Sequence, residues 1–352
     1  MRELYSQVSD LISGINFDVI WNGFNPFKFA LYNDTEVYLK DTVIPYDRRF
    51  VGNTAIKYND EYIAIWKIDD VTEEDSQELT SNIIHEIFHA FQLENKEERF
   101  PNDLVMLDYP KNLDNYQLRY LENKILGEAY TSKNMNEKKK LLAQFASLRK
   151  QRESIIGSII EHEYYSETIE GMAEYVGCSA LKQMSLDKFN KKVNGYIEKL
   201  TLLDDGIFDI RRSLYYSGVV LLLTVSEVGI NFYHKFENEK NSLYTLISKH
   251  IFDEVTIGEY ENYEVVKLYE NYVSMRKKKV EDFLDSHKET IDFEGSICGY
   301  DPMNMIRENN MILCSHFVML CNESSSSPLF LEGPVLVYLK GDSHRNVYAY
   351  VC

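Results

Sequence analysis

The chain has 352 residues, 44% hydrophobic and 27% charged, with 26 tyrosines, which is long and apolar enough to bury its own core and excludes a largely disordered protein. A formal net charge of −18 repels polyphosphate backbones and anionic lipid, so no nucleic acid and no membrane surface is expected as a partner. Cys178, Cys298, Cys314, Cys321 and Cys352 are odd in number and include no CxxC pair; they read as reduced, mostly buried thiols, which places the protein in the cytoplasm. The opening MRELYSQVSD carries acids and no continuous apolar stretch, so no secretory signal is expected there.

Along the chain, residues 3–12 read as a helix, followed by alternating segments at 36–39, 53–58 and 62–68. In the last of these Tyr62, Ala64, Trp66 and Ile68 alternate with Ile63, Ile65 and Lys67. The step Tyr58-Asn59-Asp60-Glu61 predicts a hairpin turn, with 62–68 as an edge strand against which a substrate would lie. From Thr72 the period becomes helical: Thr72 or Asp75 can cap, and Leu79, Ile83, Ile84, Ile87, Phe88 and Phe91 form one apolar face to about residue 94. Further helices are expected over 115–131, 136–163, 166–182 and 213–228, the last ended by Gly229. Its run LYYSGVVLLLTV is too short and too interrupted to span a bilayer. After about residue 287 Gly, Pro and Ser rise, and strands at 311–320 and 334–340 flank a loop at 323–328. The fold class is therefore α+β, with an N-terminal sheet in 1–70, a helical body in 71–287 and a small β domain in 288–352.

Within NIIHEIFHAFQ, His85, Glu86 and His89 form HExxH on the amphipathic helix. Four residues advance a helix by about 400°, so both imidazoles leave one face and can reach one ion. Glu86 stands where a carboxylate takes a proton from water instead of ligating. A catalytic zinc needs a third protein ligand, and EHEYYSETIEGMAEYVG offers Glu161, His162, Glu163, Glu167, Glu170 and Glu174. Glu167, Glu170 and Glu174 share one helical face at i, i+3 and i+7, a crowding of like charge that calls for a cation or donors opposite. A solvated acidic face is the plainer alternative. Glu163 lies off that face and is expected to affect neither metal nor turnover.

HEIFHAFQ paired with IEGMAEYVG resembles the gluzincin metallopeptidases, and Glu170-Gly171-Met172-Ala173-Glu174-Tyr175 resembles the zinc-ligand helix of the aminopeptidase N family. That resemblance implies Glu170 as the third ligand, in preference to His162, and Glu174 as the carboxylate that orients a ligand histidine, as also in thermolysin-like enzymes. Tyr215 and Gly218 resemble the family's YxxG, in which the phenol donates to the oxyanion, with Tyr216 in reserve. The chain departs from the family in its long, helical stretch between His89 and Glu170 and in having no GxMEN strand, so exopeptidase activity does not carry over. The resemblance covers about 85–218.

Arg211 and Arg212 beside Tyr215 read as surface charges, and Cys314, Cys321 and His316 as buried thiols near a histidine rather than a zinc ribbon. The expected activity is zinc-dependent hydrolysis of a peptide or protein substrate, with Zn2+ on His85, His89 and Glu170, Glu86 as general base and Tyr215 as oxyanion donor. The alternatives are a catalytically silent binding protein of metallopeptidase fold and a zinc hydrolase of non-peptide amides.

Overall fold

The computed structural model describes residues 1–251, 255–258, 260–322 and 327–352. The chain is mixed α+β. Helix α1 (Arg2–Ser13) precedes strands β1 (Phe29–Tyr32), β2 (Glu36–Tyr38), β3 (Val43–Pro45), β4 (Thr54–Tyr58) and β5 (Glu61–Lys67), which form one sheet in the order β3-β2-β1-β5-β4. Asn59 and Asp60 take φ of 49° and 65° between the paired Tyr58 and Glu61, the left-handed conformation that a two-residue hairpin turn needs and that Asn and Asp tolerate. The expected hairpin therefore forms, but its second strand is not the edge. Strand β5 lies between β4 and a parallel β1, so of the two hairpin strands it is β4 that stands at the edge, with β3 at the opposite edge of the sheet. The alternation in β5 divides two cores: Ala64 and Ile68 join the main core with the HExxH helix, whereas Ile63 and Ile65 pack around Phe50 and Tyr32 on the other face.

The helical body comprises α2 (Ser76–Glu94), α3 (Asp103–Met106), α4 (Leu113–Thr131), α5 (Met135–Ile156), α6 (Ile160–Ser166), α7 (Met172–Met184), α8 (Leu186–Thr201), α9 (Ile210–Glu227), α10 (Leu243–Ser248) and α11 (Tyr263–Ser286). The Asp75 carboxylate caps α2 by accepting from the amides of Gln77 and Glu78. The helix expected over 136–163 is broken at Gly157, whose φ of 65° ends α5. Between α6 and α7 the backbone widens into a π-helical segment, Glu167–Gly171. Helices α8 and α11 were not among those expected. Each buries only a thin stripe, Phe189, Val193 and Leu200 in one and Val265, Val280 and Phe283 in the other, within a charged sequence. Among the described residues no helix is long and apolar enough to cross a membrane.

Strands β6 (Thr290–Tyr300), β7 (Met305–Glu308), β8 (Met311–Cys314), β9 (Phe317–Cys321), β10 (Leu329–Glu332), β11 (Val335–Leu339) and β12 (Asn346–Val351) make an antiparallel sheet in the order β10-β9-β6-β12-β11-β8-β7. The strand expected over 311–320 is two strands that are not neighbours, and the loop expected at 323–328 lies for residues 323–326 outside the described residues. One face of this sheet buries Leu104 of α3, and the other packs on Val280 and Phe283 of α11. Cys298 and Cys321 form a disulfide between β6 and β9, 5.9 Å apart at Cα. That corrects the expectation of five reduced thiols, on which the cytoplasmic placement leaned; adjacent antiparallel strands bring the two Cβ atoms within bonding reach. Cys178 and Cys314 are free and buried, and Cys352 is free and exposed.

Candidate metal centre

Helix α2 packs its apolar face into the main core, which carries His85 and Glu86 into the interior. Helix α7 crosses it closely at Gly177, where a Cβ would stand 2.6 Å from the Ser81 carbonyl oxygen. This crossing sets Glu170 and Glu174 opposite the two histidines. His85 Nε2 lies 3.0 Å from His89 Nε2 and 3.5 Å from Glu170 Oε2, and His89 Nε2 lies 3.2 Å from the same oxygen. Donor atoms about 3.3–3.4 Å apart are the edges of a tetrahedron with metal bonds of about 2.0–2.1 Å. His85, His89 and Glu170 thus form a group able to hold a metal ion.

The hydrogen bonds behind the imidazoles strengthen this. Nδ1 of His85 donates to Glu174 Oε2 at 2.7 Å, and Nδ1 of His89 to Gln92 Oε1 at 2.7 Å, with the Gln92 amide oriented by its own donation to the Ile169 carbonyl. Neutral rings so tautomerised point two bare Nε2 lone pairs at each other and at a carboxylate oxygen. With both rings neutral, three acceptors would converge with no hydrogen among them, so the site calls for a cation or bound protons. In the ion-free protein burial would push His85 down, but the Glu170 and Glu174 carboxylates outweigh it and raise it to about 10. Glu174 remains ionised well below the usual carboxylate range because, against its burial, Lys192 lies 2.9 Å away, His85 donates to it and Tyr196 donates at 2.5 Å. Lys192 and Tyr196 lie on α8, which sequence periodicity did not disclose. Gln92 stands in the quoted HEIFHAFQ, one turn after His89, and could have been read as its partner.

Burial raises the Glu86 carboxyl above its ordinary value, with the two imidazoles opposing. Tyr215 comes in on α9 with its ring parallel to that of His85, centroids 6.1 Å apart. Burial and then the Glu170 carboxylate hold its phenol well above the ordinary value, so it stays protonated and able to donate. Tyr216 stacks instead on Tyr196, and His162 is outside the triad.

Two expectations about neighbouring charges, for Glu167 and for Arg211, are corrected. Glu167 does not share the face of Glu170 and Glu174, because the wider π turn swings it to Arg149 and Ser217. Glu163 is outside the group of His85, His89 and Glu170 and is buried between Arg119 and Arg152. Arg212 is exposed as expected, but Arg211 is largely buried, pairs with Asp103 and lies 3.7 Å from Glu170 Oε1. The chain matches no family model, no curated protein and no solved structure.

Proposed function

We propose that the chain is a zinc metallopeptidase of the gluzincin kind, acting on a peptide or protein substrate. The observation that carries the reading is the convergence of ligand atoms of His85, His89 and Glu170 at near-tetrahedral spacing, flanked by a buried carboxylate, Glu86, and a protonated phenol, Tyr215. Two imidazoles and one carboxylate suit zinc and leave a fourth position open. When bound, zinc supplies Lewis acidity and lowers the pKa of a water.

The protein's own groups then have distinct tasks. His85 and His89 are held as neutral ligands by Glu174 and Gln92, which fix their tautomers. Glu86 accepts a proton from the attacking water and returns it to the leaving amine; its raised pKa brings it nearer the working range of a general base. Tyr215 donates to the carbonyl oxygen as negative charge gathers there. Strand β4, whose outer side is unpaired, offers backbone groups to an extended peptide.

The test is a quenched peptide library presented to the zinc-loaded protein and to its Glu86→Gln variant. Wild type is expected to cleave and Glu86→Gln to retain zinc without cleaving, since the amide is nearly isosteric but cannot accept the proton. Equal turnover by both proteins would overturn the assignment of Glu86. Zinc bound without cleavage of any peptide would favour a binding role or a non-peptide amide.

A further inference from the structure

The carboxylate of Glu170 and the phenol of Tyr215 ride on separate elements, and both elements are fastened from behind by one buried ionic core. Arg119 of α4 and Arg149 and Arg152 of α5 meet Glu122 of α4, Glu163 of α6 and Glu167 of the π segment. None of these six side chains is more than 3% exposed. Both terminal nitrogens of Arg149 donate to Glu167, at 2.6 and 2.5 Å, while its Nε donates to Glu122 at 2.9 Å. Arg152 links Glu122 at 2.8 Å to Glu163 at 2.5 Å. Arg119 donates to Glu163 at 2.5 Å and to the Ser213 hydroxyl at 2.6 Å, and the Ser217 hydroxyl donates to Glu167 at 2.5 Å.

The attachment points are what matter. Ser213 and Ser217 stand two residues before and two after Tyr215 on α9, and Glu167 opens the π segment that carries Glu170. Three positive and three negative charges balance, yet taking six ions out of water is costly enough that apolar packing would serve stability as well. What forked guanidinium pairs add is direction, because two parallel hydrogen bonds fix a carboxylate in angle as well as distance. We propose that this core, contributed mainly by the long helical stretch between His89 and Glu170, is a positioning device that sets Glu170 and Tyr215 relative to each other through Glu167, Ser213 and Ser217. The proposal rests on the reading of Glu170 as a ligand and Tyr215 as a donor.

The test compares Glu167→Gln, Ser217→Ala and Ser217→Thr with Ile63→Ala, which empties a site in the cluster on the far face of the N-terminal sheet. Melting temperature, Co2+ affinity and the Co2+ absorption spectrum are measured, with kcat and KM where a peptide is cleaved. Glu167→Gln is expected to weaken Co2+ binding by roughly 10- to 100-fold and to alter the spectrum, as loss of a ligand-orienting group does. Ile63→Ala should lower the melting temperature and leave both unchanged. Ser217→Ala should lower kcat with KM and Co2+ affinity kept, and Ser217→Thr should restore it. Wild-type Co2+ binding in a folded Glu167→Gln protein overturns the proposal; should that variant not fold, a wild-type kcat in Ser217→Ala does so. If wild type cleaves nothing, the peptidase reading fails while Co2+ affinity still decides. If it binds no Co2+, the metal reading fails, and crystal structures decide by whether Glu167→Gln displaces Glu170 from His89.

Discussion

On the proposed reading, ligands and donor should fail in different ways when removed one at a time. His85→Ala, His89→Ala and Glu170→Ala are each expected to lose metal by orders of magnitude, whereas Tyr215→Phe keeps it and loses roughly 10²-fold in kcat, because only a hydrogen bond made in the transition state is gone. Metal analysis alongside rates on the four proteins checks this. The same residues predict a proton linkage. Ion-free His85 is raised to about 10, so at neutral pH a metal must displace its proton, and apparent affinity should climb about tenfold per pH unit below that value. The sign for stability is opposite: a raised pKa stabilises the ion-free fold at low pH and loses that contribution as pH rises through about 10. Calorimetric titration in buffers of different ionisation enthalpy measures the released proton; none released at pH 7 would refute the linkage.

Glu163 shows where residue-level reading of the sequence runs out. Nothing in EHEYYSET marks it as buried, because its partners Arg119 and Arg152 come from other helices, α4 and α5, and only the packing of those helices on α6 brings them to it. Against the cost of burial, Arg152 and Arg119 hold its carboxyl down at about 2. Its stabilisation is therefore complete above the unfolded value near 4.5 and lost as pH falls through about 2. Glu163→Ala should destabilise by about 3–5 kcal/mol in denaturant titrations, since it leaves buried guanidinium groups uncompensated. HExxH, by contrast, was legible because helical spacing alone brings its members together.

At the scale of elements, two glycines of the quoted motifs acquire a physical reason. Gly171 follows Glu170, Gly218 follows Tyr215 by three, and the two backbones touch: a Cβ on either would come within 2.7 Å of the other's Cα. The π segment and α9 can cross this closely only with hydrogen at both positions. Gly218→Ala should therefore cost about 1–3 kcal/mol by overpacking and, by pushing α9 away from Glu170, lower turnover more than the loss of stability alone explains. A thermal melt and a rate measured well below the transition separate the two effects. The helix boundaries around this crossing were only partly readable. A strict 3.6-residue period cannot anticipate a π turn, and it placed Glu167 on the wrong side. Strand β5 was recognised by its alternation, but its interior place was not, because the parallel partner β1 lies well upstream in sequence.

Across the whole molecule, the main core built around α2 and the C-terminal sheet are held by different means. The sheet carries the Cys298–Cys321 disulfide, closing a loop with a sequence separation of 23, for which chain entropy gives about 3 kcal/mol. A Cys298→Ala, Cys321→Ala double variant should lose stability of that order while its Co2+ affinity stays that of wild type; a matching loss of affinity would show that the cross-link reaches the site. Such a pairing was not legible from irregular cysteine spacing, since it depends on β6 and β9 becoming neighbours. The sheet nevertheless has a route to the centre. Its core takes in Leu104 of α3; the preceding Asp103 pins Arg211, and Arg211 lies 3.7 Å from Glu170. Anyone transplanting the HExxH helix and its acidic partner into another scaffold would carry over the three residues able to hold a metal but not the anchored arginine beside them, so the smallest portable version of this candidate centre extends into the C-terminal strands.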